Sequence, residues 1–502
     1  MQMTYNVKDK PSFGKTLVFA LQQLLAILAA TIAVPAIIGN GMSQSAALFG
    51  AGVGTIVYLL FTKFKSPVFL GSSFAFIGSM LAAFAGGVSA QLGFAGLILG
   101  AIFAGLVYVV IAIVVKFAGV KWINKLMPAV VIGPTVAIIG LSLAGNAVGD
   151  LTKGSYTVKN EAPSTAIVNY VGVDENGNEQ IKSQEIVLSD GQTLTGTFQN
   201  DKKETVDFSK ETATAQTDKV TTSPYVALIC GLVTLFTVII CSVYGKKMLK
   251  MIPFIIAICA GYAVAAIFTV IGDATGNEAL KIINFGLFNN MQFVPDFTFL
   301  KAFSGVKEIT ASYVATIAVA YVPVAFVVFA EHIADHKNLS SIIETELLED
   351  PGLHRTLLGD GVGSVVGAFF GGCPNTTYGE SVGCVAISGN ASVVTILATA
   401  ILAIVAAFVA PFTTFLATIP SCVMGGVCIT LYGFIAVSGL KMIQKVDLDN
   451  NRNLFVVSIV LICGVGGLTL SFGQVTLTEI ACALILGIIA NLVLAEKKDK
   501  AE

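Results

Sequence analysis

Charge is what this sequence lacks. Lys, Arg, Asp and Glu make up 12% of its 502 residues, about half the roughly 25% usual in soluble domains. With 55% hydrophobic residues and a mean hydropathy of +0.83, an ordinary water-soluble fold is excluded. A basic domain and an aromatic–basic cluster are also missing, which argues against nucleic-acid binding. The net charge of −2 singles out no partner. None of the nine cysteines falls in the polar stretch 150–222, and none forms a C-x-x-C pair. Neither a disulfide framework nor a thiolate metal site is expected. Three histidines supply neither a metal cluster nor a nucleophile–base pair, so no enzyme and no cofactor is expected.

What is there is a series of continuous apolar runs near 20 residues. Only helices and closed barrels satisfy their backbone in lipid, and runs without alternation are helices. The expected fold is an all-α polytopic membrane protein with about fourteen segments. Their approximate cores are 14–39, 44–62, 66–82, 91–116, 122–148, 225–244, 251–271, 310–335, 355–372, 376–390, 391–411, 418–440, 453–469 and 477–495. Lysine follows a consistent side. It occurs as Lys8, Lys10 and Lys15, then Lys63 and Lys65, then Lys116, Lys121 and Lys125, then Lys246, Lys247 and Lys250. Lys441, Lys445 and Arg452 follow, and Lys497, Lys498 and Lys500 come last. With fourteen spans every one of these gaps faces the cytoplasm, as do both termini, in a multi-pass protein of the cell membrane. Residues 150–222 interrupt the pattern as a polar insert, expected outside the cell as a few strands, including the alternating piece from Ile186 to Phe198. The lysine-led start reads as a first span rather than a cleaved signal.

Seven spans precede the stretch 272–309 and seven follow it, so the second half runs inverted relative to the first. The third and tenth segments are short and occupy matching places. They read SPVFLGSSFAFIGS (Ser66 to Ser79) and CPNTTYGESVGCVAIS (Cys373 to Ser388). Short, Gly/Pro-interrupted segments in corresponding positions point to a transporter's binding site. Each starts at a proline, continues extended and turns helical. The expectation is two short antiparallel strands that pair at the midplane, with two half-helices aiming their amino ends at one point.

Acids sit where lipid forbids them. A charge at the centre of a spanning helix costs roughly 2.5–3.5 kcal/mol on insertion scales, so it survives where it faces a protein-lined cavity. Glu331 and Asp335 follow the apolar run AYVPVAFVVFA and share a helix face, four residues apart. His332 and His336 form a second such pair. The polar run after them leaves open that Asp335 and His336 lie at a solvated helix end, and no third ligand makes the histidines a metal site. Glu380 opens the second half-helix among Asn375, Thr376, Thr377, Tyr378 and Ser381. It is either an N-terminal capping acid or a ligand group. Ser72, Ser73 and Phe74 offer amides and an aromatic face in the first half, and Gln22 and Gln23 add neutral hydrogen-bonding groups or interhelical links. Carboxylates plus a stacking ring suit a small planar ligand with N–H donors. Burial disfavours the charged form of an acid, so proton and ligand binding can be linked, as a symporter requires. Carbonyls of a broken helix can hold sodium equally well.

AEHIADH, DPGLHR and GGCPNTTYGESVG, with LGSSFAFI in the first half and PSCVMGGV near Pro420, resemble the nucleobase–cation symporters, also called the nucleobase–ascorbate transporters. The likeness is nearest to bacterial uracil permeases and spans the chain outside 150–222. The resemblance implies two inverted repeats of seven spans. It implies a core domain from 13–118 (spans 1–4) and 310–411 (spans 8–11). A gate domain from 119–272 (spans 5–7, with the insert) and 412–496 (spans 12–14) completes it. It also implies a homodimer in the lipid bilayer that imports uracil with protons by an elevator-like shift of the core. Glu331 and Glu380 would bind the base, Gly379 and Phe74 would add backbone amides, and Ala30 would line the pocket floor. Two departures make the sub-class mixed. Uracil permeases usually carry His where this chain has Asp335, as many purine-type members do, whereas purine and xanthine members more often carry Gln at the place of Glu380. Ser381 and Ser388 replace the usual Asn and Thr. Proton coupling would fall to Asp335, helped by Glu331 and Glu380. A xanthine or purine symporter stays as the alternative, and an anion channel or exchanger on the same architecture as one of another class.

Overall fold

The computed structural model describes residues 3–119, 128–159, 217–246, 252–289, 291–472 and 475–494, with residue 249 and short strands between 165 and 215. Lys121, Lys125, Lys247, Lys250, Lys497, Lys498 and Lys500 lie outside the described residues. The protein is a mostly helical multi-pass membrane protein. Among the described residues, eight helices are long and apolar enough to cross a membrane. These are α1 (Phe13–Ile38), α2 (Gln44–Phe61), α4 (Ala90–Ala118), α5 (Ala129–Ser142) continuing as α6 (Ala144–Asp150), α7 (Pro224–Tyr244), α8 (Pro253–Thr275), α10 (Ala311–Ile343) and α15 (Ser421–Ile443). A ninth follows if α13 (Val393–Ala406) and α14 (Ala410–Thr418), bent by 82° at their junction, form one span. The remaining helices complete the bundle: α3 (Ile77–Ala85), α9 (Thr298–Gly305), α11 (Leu353–Gly371), α12 (Gly379–Ser388), α16 (Asn451–Val465) and α17 (Glu479–Val493).

The expected strand pair is present. β1 (Leu70–Ser72) runs antiparallel to β2 (Asn375–Thr377), with Leu70 opposite Thr377 and Ser72 opposite Asn375. Pro67 and Pro374 precede the strands, where a proline's missing N–H breaks helix. Each strand then gives way to helix, a 3-10 turn at Phe74–Phe76 leading into α3, and α12 after β2. The described pieces of the insert are strands, such as Thr165–Val173 antiparallel to Glu179–Val187.

Two sets of helices pack among themselves. α2 lies against α11 and α13, and α4 against α9, α10 and α11; α15 lies against α5 and α7, α7 against α8, and α16 against α5 and α17. The α2–α11 contact is backbone to backbone. A Cβ at Gly54 would stand 2.7 Å from the Gly363 carbonyl oxygen and 2.6 Å from the Asn375 amide nitrogen, so only glycine fits there. Gly71 of β1 is covered by the Tyr378 ring in the same way.

α10 continues eight residues past Asp335, and one face of the polar run downstream stays packed. Leu339, Ser340 and Ile343 turn inward from it, and His332 and His336 are fully buried.

Candidate functional site

A cavity of about 380 Å³ lies between the two helix sets. One wall is Ser73, Phe74 and Ala75 after β1, Glu331, Ala334 and Asp335 of α10, and Thr376 to Glu380 of β2 and α12. The facing wall is Val136 of α5, Phe254 of α8, and Leu431, Phe434, Ile435, Ser438 and Met442 of α15. Its size suits a small ligand, since ligand pockets run upward from about 300 Å³. The wall is divided by chemistry: acids and hydroxyls on one side, apolar and aromatic groups on the other.

The sequence placed Glu331, Asp335, Phe74, Gly379 and Glu380 in a shared site, and all five line this cavity. Glu331 and Asp335 come from one helix face. Thr377 donates to Asp335 Oδ2 at 2.8 Å, fixing that carboxylate against β2. Glu331 has no hydrogen-bond partner among the described residues, although Asp335, Asp360 and Glu380 are all within its electrostatic range. Glu380 lies in the first turn of α12, where the helix dipole favours negative charge. The Phe74 ring stands edge-on to Tyr432, with centroids 5.8 Å apart and planes at 80°. An acceptor-rich face opposite apolar and aromatic surface can hold a flat molecule edge-on to the acids.

Ala30 departs from expectation. It is 1% exposed within α1 and is not part of the lining; Tyr378, packed over Gly71, borders the cavity instead. Gln23 acts as an interhelical link, its amide donating to Ser381 Oγ at 2.6 Å. The same hydroxyl oxygen accepts the Phe69 backbone N–H at 3.1 Å. Ser381 thereby joins α1, the chain entering β1, and α12. Ser381→Ala strands two buried donors, each costing about 1–3 kcal/mol. We expect a lower thermal unfolding midpoint in detergent; a midpoint equal to that of the wild type would refute the role.

The histidines are not in the cavity. His332 Nδ1 lies 2.7 Å from Asp360 Oδ2 and its Nε2 lies 2.9 Å from Thr356 Oγ1. His336 Nε2 lies 2.7 Å from the Tyr58 hydroxyl. Among the described residues no cluster could hold a metal ion. Sequence reasoning passed over Asp360, a lone acid inside the apolar, glycine-rich run of α11. The signal that reveals it is the same one that marked Glu331: an ionisable group inside a spanning segment.

A second cavity, about 520 Å³, is lined by Pro35 and Gly39 of α1, Asp150, Asp296, Ser421 and Met424. Its two aspartates are paired with lysines, Asp150 with Lys153 and Asp296 with Lys301. It offers no unpaired acid to a ligand.

Residues 14–173 and 206–472 match the Xan_ur_permease family, described as a permease family. The chain is 34% identical over 501 residues to a uracil permease of Bacillus caldolyticus, covering 99% of this chain and 96% of that one. A uracil permease of Bacillus subtilis (strain 168) is 33% identical over 503 residues, covering 99% and 97%. One of Escherichia coli (strain K12) is 30% identical over 490 residues, covering 97% and 93%. Among solved structures, the transmembrane domain of a cyanobacterium bicarbonate transporter, BicA, superimposes with a TM-score of 0.58 at 16% identity, covering 97% of this chain and 99% of that one. The inward-facing murine Solute Carrier 26 family member A9 anion transporter gives 0.59 at 11% identity, covering 97% and 69%. These two share the fold. A membrane bundle with a broken-helix cavity, matched by a family pattern over most of its length and by three relatives of at least 30% identity across nearly the whole chain, leaves one assignment: the chain belongs to the Xan_ur_permease family of permeases.

Proposed function

We propose that this permease imports uracil together with protons. The observation that carries the reading is the meeting of Glu331 and Glu380, from segments 49 residues apart, in one cavity with hydrogen-bonding capacity to spare. Uracil is flat and carries ring N–H donors, which two carboxylates accept, while Phe74 and the α15 wall cover its faces. The relatives named uracil permease support the same substrate. The fold is shared with anion transporters, but an anion would meet Glu331, Asp335 and Glu380 at close range, and like charges in a low-dielectric cavity repel strongly. A xanthine or purine substrate is the competing reading within transport.

The same proposal takes the chain as fourteen spans in two inverted repeats of seven, with both termini in the cytoplasm, working as a homodimer. The helices packed around β1 and β2 form the moving core, 13–118 with 310–411. Those around α15 form the gate, 119–272 with 412–496. Support comes from the two cavities on the α15 side. Met424 borders one and Leu431 the other, so about 10 Å of helix rise separates them. A modest slide of the core past α15 would pass the Phe74 region from one to the other.

Binding of labelled uracil to the purified protein across pH, with unlabelled uracil, xanthine and hypoxanthine as competitors, tests this. Uracil is expected to compete most strongly and its affinity to change with pH. Stronger competition by xanthine would overturn the substrate, and pH-independent binding would overturn the proton.

A further inference from the structure

On the far side of β2 from Asp335 lies a polar group set that nucleobase binding does not use. Thr376 and Thr377 are neighbours in a strand, so their side chains point to opposite faces. Thr377 donates to Asp335 at 2.8 Å, whereas Thr376 donates to Asp360 Oδ2 at 3.4 Å. Both threonines border the cavity, so Thr376 links it to Asp360. Asp360 and His332 are each 0% exposed, and among the described residues no lysine or arginine pairs with Asp360.

Hydrogen bonding and burial together limit how many protons this pair holds. Thr356 Oγ1 lies 3.0 Å from the Leu353 carbonyl oxygen, which can only accept, and 2.9 Å from His332 Nε2. A hydroxyl has one proton to give. With that proton on Leu353, His332 Nε2 is the donor to Thr356. One further proton then lies between His332 Nδ1 and Asp360 Oδ2, 2.7 Å apart. It makes either a carboxylic acid donating to imidazole or an imidazolium donating to carboxylate, and both are neutral overall. The other arrangement, neutral imidazole against an ionised carboxylate, leaves a net charge buried with Asp360 Oδ1 lacking a partner among the described residues. Burying an uncompensated charge is strongly unfavourable.

We propose that His332 and Asp360 form a buried dyad that holds the coupling proton and exchanges it with the cavity through the Thr376 hydroxyl. A proton arriving from cavity water binds Thr376 Oγ1 as the threonine's own proton passes to Asp360 Oδ2; release is the reverse. The charge that changes is felt by the ligand acids. Facing the dyad are Glu331, Asp335 and His336 on α10, Tyr58 of α2 and Tyr108 of α4. A loaded, neutral dyad lets Glu331 remain ionised and accept the ligand's N–H. An emptied dyad adds negative charge beside Glu331, which then takes a proton and loses that acceptor. Proton and ligand therefore stabilise each other. This role rests on the uracil–proton reading above, but the proton count does not.

Infrared difference spectra and 15N NMR of the histidine rings, taken on the full-length protein at pH 7 without nucleobase, test the count. The expected result is either a carboxylic acid band lost in Asp360→Asn or a doubly protonated His332 ring. A neutral His332 beside an ionised Asp360 overturns the dyad. The coupling role is tested in proteoliposomes with labelled uracil. Asp360→Asn should retain counterflow exchange yet lose accumulation driven by an imposed proton gradient, by ~10-fold or more. Wild-type accumulation overturns the role. Should Asp360→Asn fail to fold, Thr356→Val, which removes the partner of Nε2 and leaves both dyad members in place, should show the same split, and unchanged gradient-driven accumulation would again overturn it. A wild-type protein that exchanges no uracil at all sinks the transport reading, while the spectra still decide the dyad.

Discussion

Replacing Glu331 with alanine is expected to abolish saturable uracil uptake while leaving the protein folded. The two halves of that statement have separate causes. Hydrogen bonds to a charged group contribute about 1.5–3 kcal/mol each, so losing this acceptor weakens binding by about 10- to 100-fold. The folded state loses nothing comparable, because Glu331 has no hydrogen-bond partner among the described residues and its neighbours Asp335 and Glu380 are acids of the same sign. Relief of that repulsion should keep the thermal midpoint at or above wild type. Glu380→Ala should behave alike in uptake but gain less in stability, since an acid at the amino end of α12 is favoured by about 0.3–1 kcal/mol. Glu380→Gln keeps the size and one acceptor, and should shift preference toward purines. Labelled-uracil uptake with matched protein levels by immunoblot measures all three. Uptake in Glu331→Ala within ~2-fold of wild type, far short of the loss a charged acceptor implies, would remove Glu331 from the site.

The second large effect is on assembly. Gly54→Val should destabilise the α2–α11 contact by about 3 kcal/mol or more, since overpacking against backbone cannot be relieved by a rotamer change. The first added carbon already meets the Gly363 carbonyl at 2.7 Å, and the Asn375 amide at 2.6 Å must also move. Asn375 holds β2 to α2 through the Gly50 carbonyl, so the damage reaches the strand that carries Thr376 and Thr377. The expected outcome is loss of folded protein from the membrane, read by fluorescence-detected size exclusion. Gly433→Ala, where nothing lies within 4 Å of the new carbon, is the control. Normal folding of Gly54→Val would mean that α2 and α11 are not held this close.

Sequence by itself determined the solvent and the reactive elements. Low charge with repeated apolar runs requires a membrane bundle. A proline followed by small and polar residues inside such a run requires broken helix. An acid that closes a long apolar run requires a cavity. These are local statements, legible because the energetic cost of a charge or an unpaired amide in lipid is large at a single position. Partners distant in sequence were not legible. Leu70 and Thr377 are paired across 307 residues, and only inverted symmetry hinted at it. The polar run after Asp335 looked like solvated chain because its buried positions, Leu339, Ser340 and Ile343, are sparse at helical spacing. The tertiary structure alone decided that α10 has two working faces. One turns Glu331 and Asp335 to the cavity, and the next residue along, His332, turns to Asp360 on α11. Helical periodicity sets adjacent residues about 100° apart, but which helix waits on each side depends on packing between segments that the sequence keeps far apart.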